Sequence, residues 1–212
     1  MNITLIAVSL LGLTNAHVST HQTSDEEQMT QDWPPGFCNG NACPKYTVVN
    51  KMPGHEERRY ASSKWVTTAL TGVDYEMAGR TMFRKLFRYI AGNNVKNRKI
   101  AMTVPVLRRV IPAPGPSCKK NFTMSFYLDI DNPPQPNDEN VYLSSLPQNL
   151  DVFVKDYGGF NSKETLLTKA SELAQELSAE SLSYDTGYYY FAGYNGPRWL
   201  TNRHNEIWFV KK

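Results

Sequence analysis

Apolar residues recur at helical spacing in two separate parts of the chain, which predicts two amphipathic helices. The first runs from Asp74 to Ala91 and is followed by Gly92 and an Asn-Asn pair, which tolerate the left-handed conformations that end helices. The second begins with a capping-box segment at 161–164 and continues to about Glu180. Each helix carries one apolar stripe, so we expect each to pack against a sheet.

Runs rich in β-branched and aromatic residues flank both helices and predict strands. They are KWVTTALTG, IAMTVPVLRRVI, FTMSFYLDI, VFVKDYGGF, GYYYFAGY and NEIWFV. The order strand, helix, strand, strand therefore occurs twice, with the Pro-rich segment DNPPQPNDEN between the two blocks. This order predicts an α+β protein in which a curved antiparallel sheet or distorted barrel carries two helices, built from two pseudo-symmetric βαββ repeats.

Length and composition are those of an ordered protein with one sizeable domain. The chain has 212 residues, of which 41% are hydrophobic and 20% charged. Its formal net charge of only +3, without a long Lys/Arg run, gives no support for a nucleic-acid partner. The sequence shows no nucleophile–base pair, phosphate-binding loop or cluster of metal-ligand residues, so we predict no catalytic residues and no metal-binding residues.

The N-terminal segment MNITLIAVSLLGLTNA, residues 1–16, has the form of a secretory signal peptide. Its apolar run is too short to span a bilayer and no other apolar segment is long enough, so no membrane partner is expected. Residues 17–44 are polar and are interpreted as an N-terminal extension with a cysteine loop, ahead of a compact domain at 45–212. The sequence therefore predicts a secreted, extracellular protein.

Three cysteines and one sequon bear on that location. Cys38 and Cys43 can close a small loop, which leaves Cys118 over, but Cys118 can instead bridge to the N-terminal segment and leave one of the other two free. The disulfide pairing therefore stays open. Asn121 begins the sequence Asn-Phe-Thr and is a candidate glycosylation site in a secreted chain.

The first helix carries a second strip of residues beside its apolar stripe. Arg80, Phe83, Arg84, Phe87 and Arg88 are spaced i, i+3, i+4, i+7 and i+8, so they form one continuous surface. One interpretation is that the phenylalanines pack under a neighbouring loop while the arginines are solvated. The other is an aromatic surface bordered by cations, which suits a flat, apolar, anionic ligand such as a tetrapyrrole, a bile pigment or an aromatic acid.

Three segments resemble the SOUL/heme-binding protein family: EERRYASSKWVTTAL, FRYIAGNNVKNRKIAMTVPV and YYYFAGYNGPRWLTNRHNEIWFVKK. The last contains the family-like ending Gly193-Tyr194-Asn195, Pro197, Arg203, His204 and Asn205-Glu206-Ile207-Trp208. The resemblance runs from about Lys45 to the C-terminus and is nearer the second vertebrate heme-binding protein branch than the first. It implies a distorted eight-stranded, barrel-like sheet with two helices, made of two βαββ units.

The resemblance also implies a ligand and a site. Heme or a metal-free porphyrin would bind non-covalently and exchangeably in a shallow surface cleft, between the first helix and the loop after Tyr194. The residues that the resemblance assigns to the propionates are Arg80, Arg88 and Arg198. Those that it assigns to the macrocycle are Phe83, Phe87 and Trp199.

One position departs from the family pattern. Some members carry a histidine, a candidate axial iron ligand, just before the tyrosine of an R-H-Y segment, and this chain has Arg59 there. His55, four residues earlier and on the same face of a strand, is an alternative ligand, whereas His204 is interpreted as structural or exposed. Without a committed ligand, binding would rest on apolar contact and propionate pairing and would accept metal-free porphyrins.

Two other functions stay open at this point. The same scaffold can act as a protein-interaction module whose partner is unknown, with heme binding incidental. Related two-repeat domains include small-molecule hydrolases with a catalytic carboxylate in the cleft, and Glu206 is the acid available for that role here. Hydrogen bonding within the last strand is the simpler interpretation of Glu206.

Overall fold

The computed structural model describes residues 33–72, 74–111 and 121–212, which form two α-helices and nine strands. The helices are α1 (Tyr75–Ile90) and α2 (Lys163–Ala179). The strands are β1 (Tyr46–Met52), β2 (His55–Tyr60), β3 (Ser63–Thr71), β4 (Val106–Val110), β5 (Asn121–Leu128), β6 (Val141–Leu146), β7 (Leu150–Tyr157), β8 (Tyr189–Gly193) and β9 (Asn205–Val210). The predicted signal peptide, most of the predicted extension and Cys118 lie outside the described residues.

The nine strands form one sheet that curls into a half-barrel. Their order is β1-β2-β7-β9-β8-β4-β5-β3-β6, and every neighbouring pair is antiparallel. The predicted α+β class, with a curved antiparallel sheet and two helices, is confirmed. Antiparallel pairing of this kind lets one face of the sheet receive the helices while the other remains available for other packing.

The chain order of the elements contains the two predicted blocks. The elements β3, α1, β4 and β5 follow one another, and β7, α2, β8 and β9 repeat the same order. Pseudo-symmetry between the blocks stays a prediction. Strands β1, β2 and β6 lie outside the blocks, so the described part of the chain has nine strands instead of the eight that the family resemblance implied.

Both helices begin at side-chain caps. The Asp74 carboxylate accepts hydrogen bonds from the backbone N–H groups of Glu76 and Met77, and the Ser162 hydroxyl accepts one from Thr165. The apolar stripe of α1 then packs on β3 and β5, and the stripe of α2 packs on β7 and β9. The caps and stripes therefore fix where each helix starts and which side it buries. The buried α1 residues are Ala78, Gly79, Met82, Leu86, Tyr89 and Ile90.

The segment before β1 packs into a separate core cluster. Cys38 and Cys43 form a disulfide with a Cα–Cα distance of 6.4 Å, and both are buried beside Tyr60, Trp65 and Trp208. The backbone N–H of Val104 donates to the carbonyl of Ala42, which ties this loop to the chain just before β4. The Cys38–Cys43 loop is therefore part of the folded domain and reaches the neighbourhood of β4.

The fold also places the predicted glycosylation site and bears on membrane spans. Asn121 is exposed at the first position of β5, and its glycosylation stays a prediction. Within the described ranges, the helices are too short or too polar for any of them to cross a bilayer.

Candidate functional site

A cleft of about 540 Å³ opens between α1, β4 and the loop that follows β8. The loop closed by the disulfide and the turn after β7 complete its walls. Its apolar lining includes Phe83, Phe87, Met102, Val104, Phe191 and Trp199, and its polar lining includes Asn39, Asn41, Arg108, Asn161 and Arg203. A mostly apolar concavity of this volume with a few polar groups is typical of a small-molecule site.

The α1 wall of the cleft is the second strip of that helix. The rings of Phe83 and Phe87 lie nearly parallel, with centroids 6.1 Å apart, and Phe83 also makes an edge contact with Phe126. Phe83 is 37% exposed and Phe87 is 50% exposed. The structure therefore presents both rings to the cleft, while the core stripe of α1 remains buried behind them.

The facing wall is held in place by Arg203. Its Nη1 donates to the carbonyls of Gly196 and Trp199 at 2.8 and 2.6 Å, and its Nη2 donates to the carbonyl of Asn195 at 3.1 Å. The same guanidinium lies 4.7 Å from the ring centroid of Phe160. Because Arg203 binds three carbonyls of one loop, it fixes the backbone that presents Trp199 to the cleft.

The structure separates the six residues that the family resemblance assigned to the ligand. Phe83, Phe87 and Trp199 come together as lining of one cleft. The three arginines are exposed and are not among its lining residues. Arg80 is paired with Glu76 at 3.0 Å on the surface of α1. A ligand carboxylate would meet Arg80, Arg88 or Arg198 only outside the cleft proper.

Two arginines that the sequence analysis did not assign to the ligand do line the cleft, Arg108 and Arg203. Arg108 extends from β4, and its guanidinium carbon lies 5.3 Å from the ring of Tyr75 and 5.6 Å from the ring of Phe191. The available signal was the tandem Arg-Arg of β4, since adjacent strand residues point to opposite faces of a sheet. Alternation alone does not tell which arginine faces the cleft.

A buried carboxylate, Glu206, lies behind the cleft wall. Its Oε1 accepts from Nη1 of Arg58 at 2.8 Å and lies 2.8 Å from Nε2 of His204. Its Oε2 accepts from the hydroxyl of Tyr194 and from Nε1 of Trp208, both at 2.7 Å. Burial alone would raise the pKa of Glu206, but the charges of Arg58 and His204 and the hydrogen bonds lower it to about 2. Glu206 is therefore ionised at neutral pH and holds the hydroxyl of the cleft residue Tyr194.

Neither described histidine lines the cleft. His55 is buried, with its ring nitrogens 3.7 Å from carboxylate oxygens of Glu176 in α2 and of Glu180, the residue that caps the end of α2. His204 stacks on Phe37, with ring centroids 4.1 Å apart, and contacts Glu206. In the described ranges, no three His, Cys, Asp or Glu side chains are grouped as a metal site.

Arg59, at the family's histidine position, is also not among the lining residues. It forms a two-point ion pair with Asp151, with Nε–Oδ1 and Nη2–Oδ2 distances of 2.7 and 2.8 Å. This pair joins β2 to β7 on an exposed part of the sheet. Arg59 is therefore engaged by a carboxylate, and the position carries no group that faces the cleft.

The curled sheet carries two helices and an open, aromatic-lined cleft, an arrangement typical of small-molecule sites. The family model described as SOUL heme-binding protein matches residues 41–210. The chain is 37% identical to heme-binding protein 2 of Homo sapiens over 165 residues, which is 76% of this chain and 80% of that protein. It is 33% identical to heme-binding protein 2 of Mus musculus over 168 residues, 77% of this chain and 82% of that one. The chain belongs to the SOUL heme-binding protein family.

Solved structures show the same fold at much lower identity. The C-terminal domain of EcmrR superposes with a TM-score of 0.60 at 9% identity, covering 79% of this chain and 98% of that chain. Structural similarity at this sequence identity supports the fold alone, and function has to be argued from the site.

Proposed function

We propose that this protein binds heme or a related tetrapyrrole non-covalently in the cleft between α1 and the loop after β8. The observation that carries the proposal is the exposure of Phe83, Phe87 and Trp199 on the walls of one cleft, in a chain of the SOUL heme-binding protein family. Its relatives of 33–37% identity are named for heme binding. A flat macrocycle would cover these rings and remove them from water.

The fit rests on shape and apolar contact. The nearly parallel rings of Phe83 and Phe87 offer aromatic contact area on one wall, and Trp199, 47% exposed, offers it on another. A cleft of about 540 Å³ lies within the range of sites that hold small molecules and cofactors. Face contact with these rings would orient the macrocycle without a covalent bond.

The propionates would pair with arginine side chains. With the propionate edge at the mouth of the cleft, the carboxylates would meet the exposed arginines Arg80, Arg88 and Arg198. With that edge turned inward, they would meet the cleft-lining arginines. The two orientations place the same macrocycle against the same aromatic rings.

We expect exchangeable binding that tolerates metal-free porphyrins. The described residues that line the cleft include no histidine, and the hydroxyl of its tyrosine, Tyr194, already donates to Glu206. Ring contact and carboxylate pairing would therefore supply most of the affinity, with the Met102 thioether as the remaining side chain of a type that ligates heme iron. When bound, heme iron would supply the redox and ligand-binding chemistry. The chain's residues would contribute binding and orientation.

We further propose a binding role without catalysis by Glu206. Both of its oxygens are engaged by two groups each, and its pKa is lowered to about 2, so it is a poor proton acceptor at neutral pH. Secretion of the protein stays part of the proposal and is supported by the signal-like sequence of residues 1–16.

The test is a titration of the full chain with hemin, followed by the Soret absorption band, and with metal-free mesoporphyrin IX, followed by its fluorescence. We expect saturable one-to-one binding of both. Resonance Raman spectra of the hemin complex would report the coordination of the iron. Absence of saturable binding of both ligands would overturn the proposal.

A further inference from the structure

Arg108 is a cleft-lining cation that has no anion beside it in the described part of the chain. Its guanidinium carbon lies 5.3 Å from the ring centroid of Tyr75 and 5.6 Å from that of Phe191, so aromatic rings contact its charged group in place of a carboxylate. Its Nε–H is buried and has no hydrogen-bond acceptor among the described residues. Burying a charged donor without a partner is unfavourable, and folded proteins normally supply one.

Arg108 belongs to a region that is rich in unused donors. The hydroxyls of Tyr75 and Tyr189 are also buried without a hydrogen-bond partner, and both rings pack in the cluster that contains Phe191. Burial raises the pKa of Tyr189 to about 12, so this phenol keeps its proton at neutral pH. What the region lacks is an acceptor.

The backbone of α1 leaves room for this cation. A Cβ atom built at Gly79 would lie 3.3 Å from Nη1 of Arg108, which is closer than most such contacts. Glycine inside a helix costs stability relative to alanine. Its presence at this turn of α1 is explained by the space that the Arg108 guanidinium occupies.

The other arginine of the cleft is already used. Both Nη atoms of Arg203 donate to carbonyls of the loop after β8. Arg80, outside the cleft, is paired with Glu76. Arg203 keeps only its buried Nε without a described acceptor. Of the two arginines that line the cleft, Arg108 is therefore the one whose Nη groups are not engaged by carbonyls of the described chain.

We propose that Arg108 is the group that receives a carboxylate of the ligand, with the propionate edge of a tetrapyrrole turned into the cleft. This inference rests on the proposed function and adds to it the orientation of the ligand. A guanidinium fork matches a carboxylate geometrically, and a partly desolvated pair of this kind is stronger than one at an exposed position.

The experiment compares mesoporphyrin IX with its dimethyl ester, which has the same macrocycle and no carboxylates. We expect the full chain to bind the free acid about 10- to 100-fold more tightly than the ester. Arg108→Gln should remove that preference while ester binding stays within about twofold. Arg108→Lys should restore part of the preference because it keeps the charge and loses the fork.

Arg109→Gln is the matched control. Arg109 is the next residue of β4, its guanidinium lies 3.9 Å from the ring centroid of Tyr188, and its Nε also lacks an acceptor, but it does not line the cleft. Its substitution should leave the preference for the free acid intact. A thermal melt of each variant reports whether it is folded.

A triple variant of the exposed arginines, Arg80→Gln/Arg88→Gln/Arg198→Gln, separates the two orientations even if Arg108→Gln does not fold. Retention of most of the free-acid preference by the triple variant supports Arg108. Loss of the preference in the triple variant, or its persistence in folded Arg108→Gln, overturns this inference. Equal binding of acid and ester by the unmodified chain also overturns it and leaves the proposed function standing. Binding of neither porphyrin refutes both.

Discussion

Gly79 of α1 and Arg108 of β4 face each other so closely that any side chain at position 79 would meet the guanidinium. The built Cβ would lie 3.3 Å from Nη1 and 3.4 Å from Cζ of Arg108. Arg108 in turn lines the cleft, and its guanidinium contacts the rings of Tyr75 and Phe191. One turn of α1 is thereby coupled to the interior of the cleft.

Gly79→Ala tests that coupling. Alanine in a helix interior favours folding by roughly 0.5–1 kcal/mol relative to glycine, and the flexible end of Arg108 can move aside. We expect a melting temperature that is unchanged or higher, together with weaker mesoporphyrin binding by about 1 kcal/mol, or about fivefold. Binding of the dimethyl ester is the control and should change less. Unaltered binding of the free acid would show that the position of Arg108 is immaterial to the ligand.

Glu206→Gln should destabilise the protein strongly. The substitution keeps the shape of the side chain but removes the fully buried anion of Arg58, which is itself buried and then keeps only Glu56, 2.9 Å from its Nε. Breaking a buried ion pair by removing one partner costs about 3–5 kcal/mol. Urea unfolding measures the loss, and Asp151→Asn, which breaks an exposed pair with Arg59, is the control that should cost about 1 kcal/mol or less. Similar losses for both variants would contradict the structural role of Glu206.

The same carboxylate predicts how stability depends on pH. The pKa of Glu206 falls from an ordinary value of 4.5 to about 2 on folding, so between these values the unfolded chain binds more protons than the folded one. Ionised Glu206 therefore contributes about 3 kcal/mol to the free energy of unfolding above pH 4.5, and this contribution is lost as the pH falls towards 2. Urea unfolding at several pH values should show that the free energy of unfolding declines less with acidification in Glu206→Gln than in the unmodified chain. Parallel declines in the two proteins would refute this.

His55→Gln should leave the spectrum of bound hemin unchanged. His55 lies under α2, between Glu176 and Glu180, and makes an edge contact with Phe153, and it does not line the cleft. The Soret maximum and the resonance Raman lines of the variant therefore should match those of the unmodified chain. A changed iron coordination in a folded variant would make His55 a ligand and would place the heme elsewhere.

Removal of the disulfide should weaken both folding and binding. Cys38 and Cys43 are five positions apart, and closing a loop of this size contributes about 2 kcal/mol in the chain-entropy description. Asn39 and Asn41 within the loop line the cleft, so a looser loop should also raise the Kd for mesoporphyrin. Urea unfolding and titration of Cys38→Ser/Cys43→Ser test the two effects. Unchanged binding would show that this loop is not part of the ligand site.

The sequence predicted the helices and their neighbouring strands because their signals are local. Helix α1 begins at Asp74 as predicted, and its apolar stripe is buried as its spacing required. Helix α2 is capped by Ser162, one residue after the Asn161 that begins the capping-box segment. Strand β6 was not predicted, because its sequence VYLSSL lies at a sheet edge and has no clear alternation of buried and exposed positions. Strand β1 was not predicted either, and β2 was expected only as the strand that carries His55.

The candidate site was harder to predict, because it depends on contacts between distant segments. Helical spacing placed Phe83 and Phe87 on one surface, and the structure brings Trp199 to the same cleft. Helical spacing also grouped the arginines of α1 with these rings, although Arg80 turns to Glu76 instead. Arg108 was missed because only the curl of the sheet decides that β4 faces α1 and the loop after β8.

A crystal structure of the full chain with mesoporphyrin IX tests the central claim most directly. It would show where the macrocycle lies and which side chains its carboxylates meet. We predict electron density for the macrocycle against Phe83, Phe87 and Trp199, with a propionate at Arg108. Macrocycle density at any other surface, with the cleft residues still in contact with water, would contradict this account.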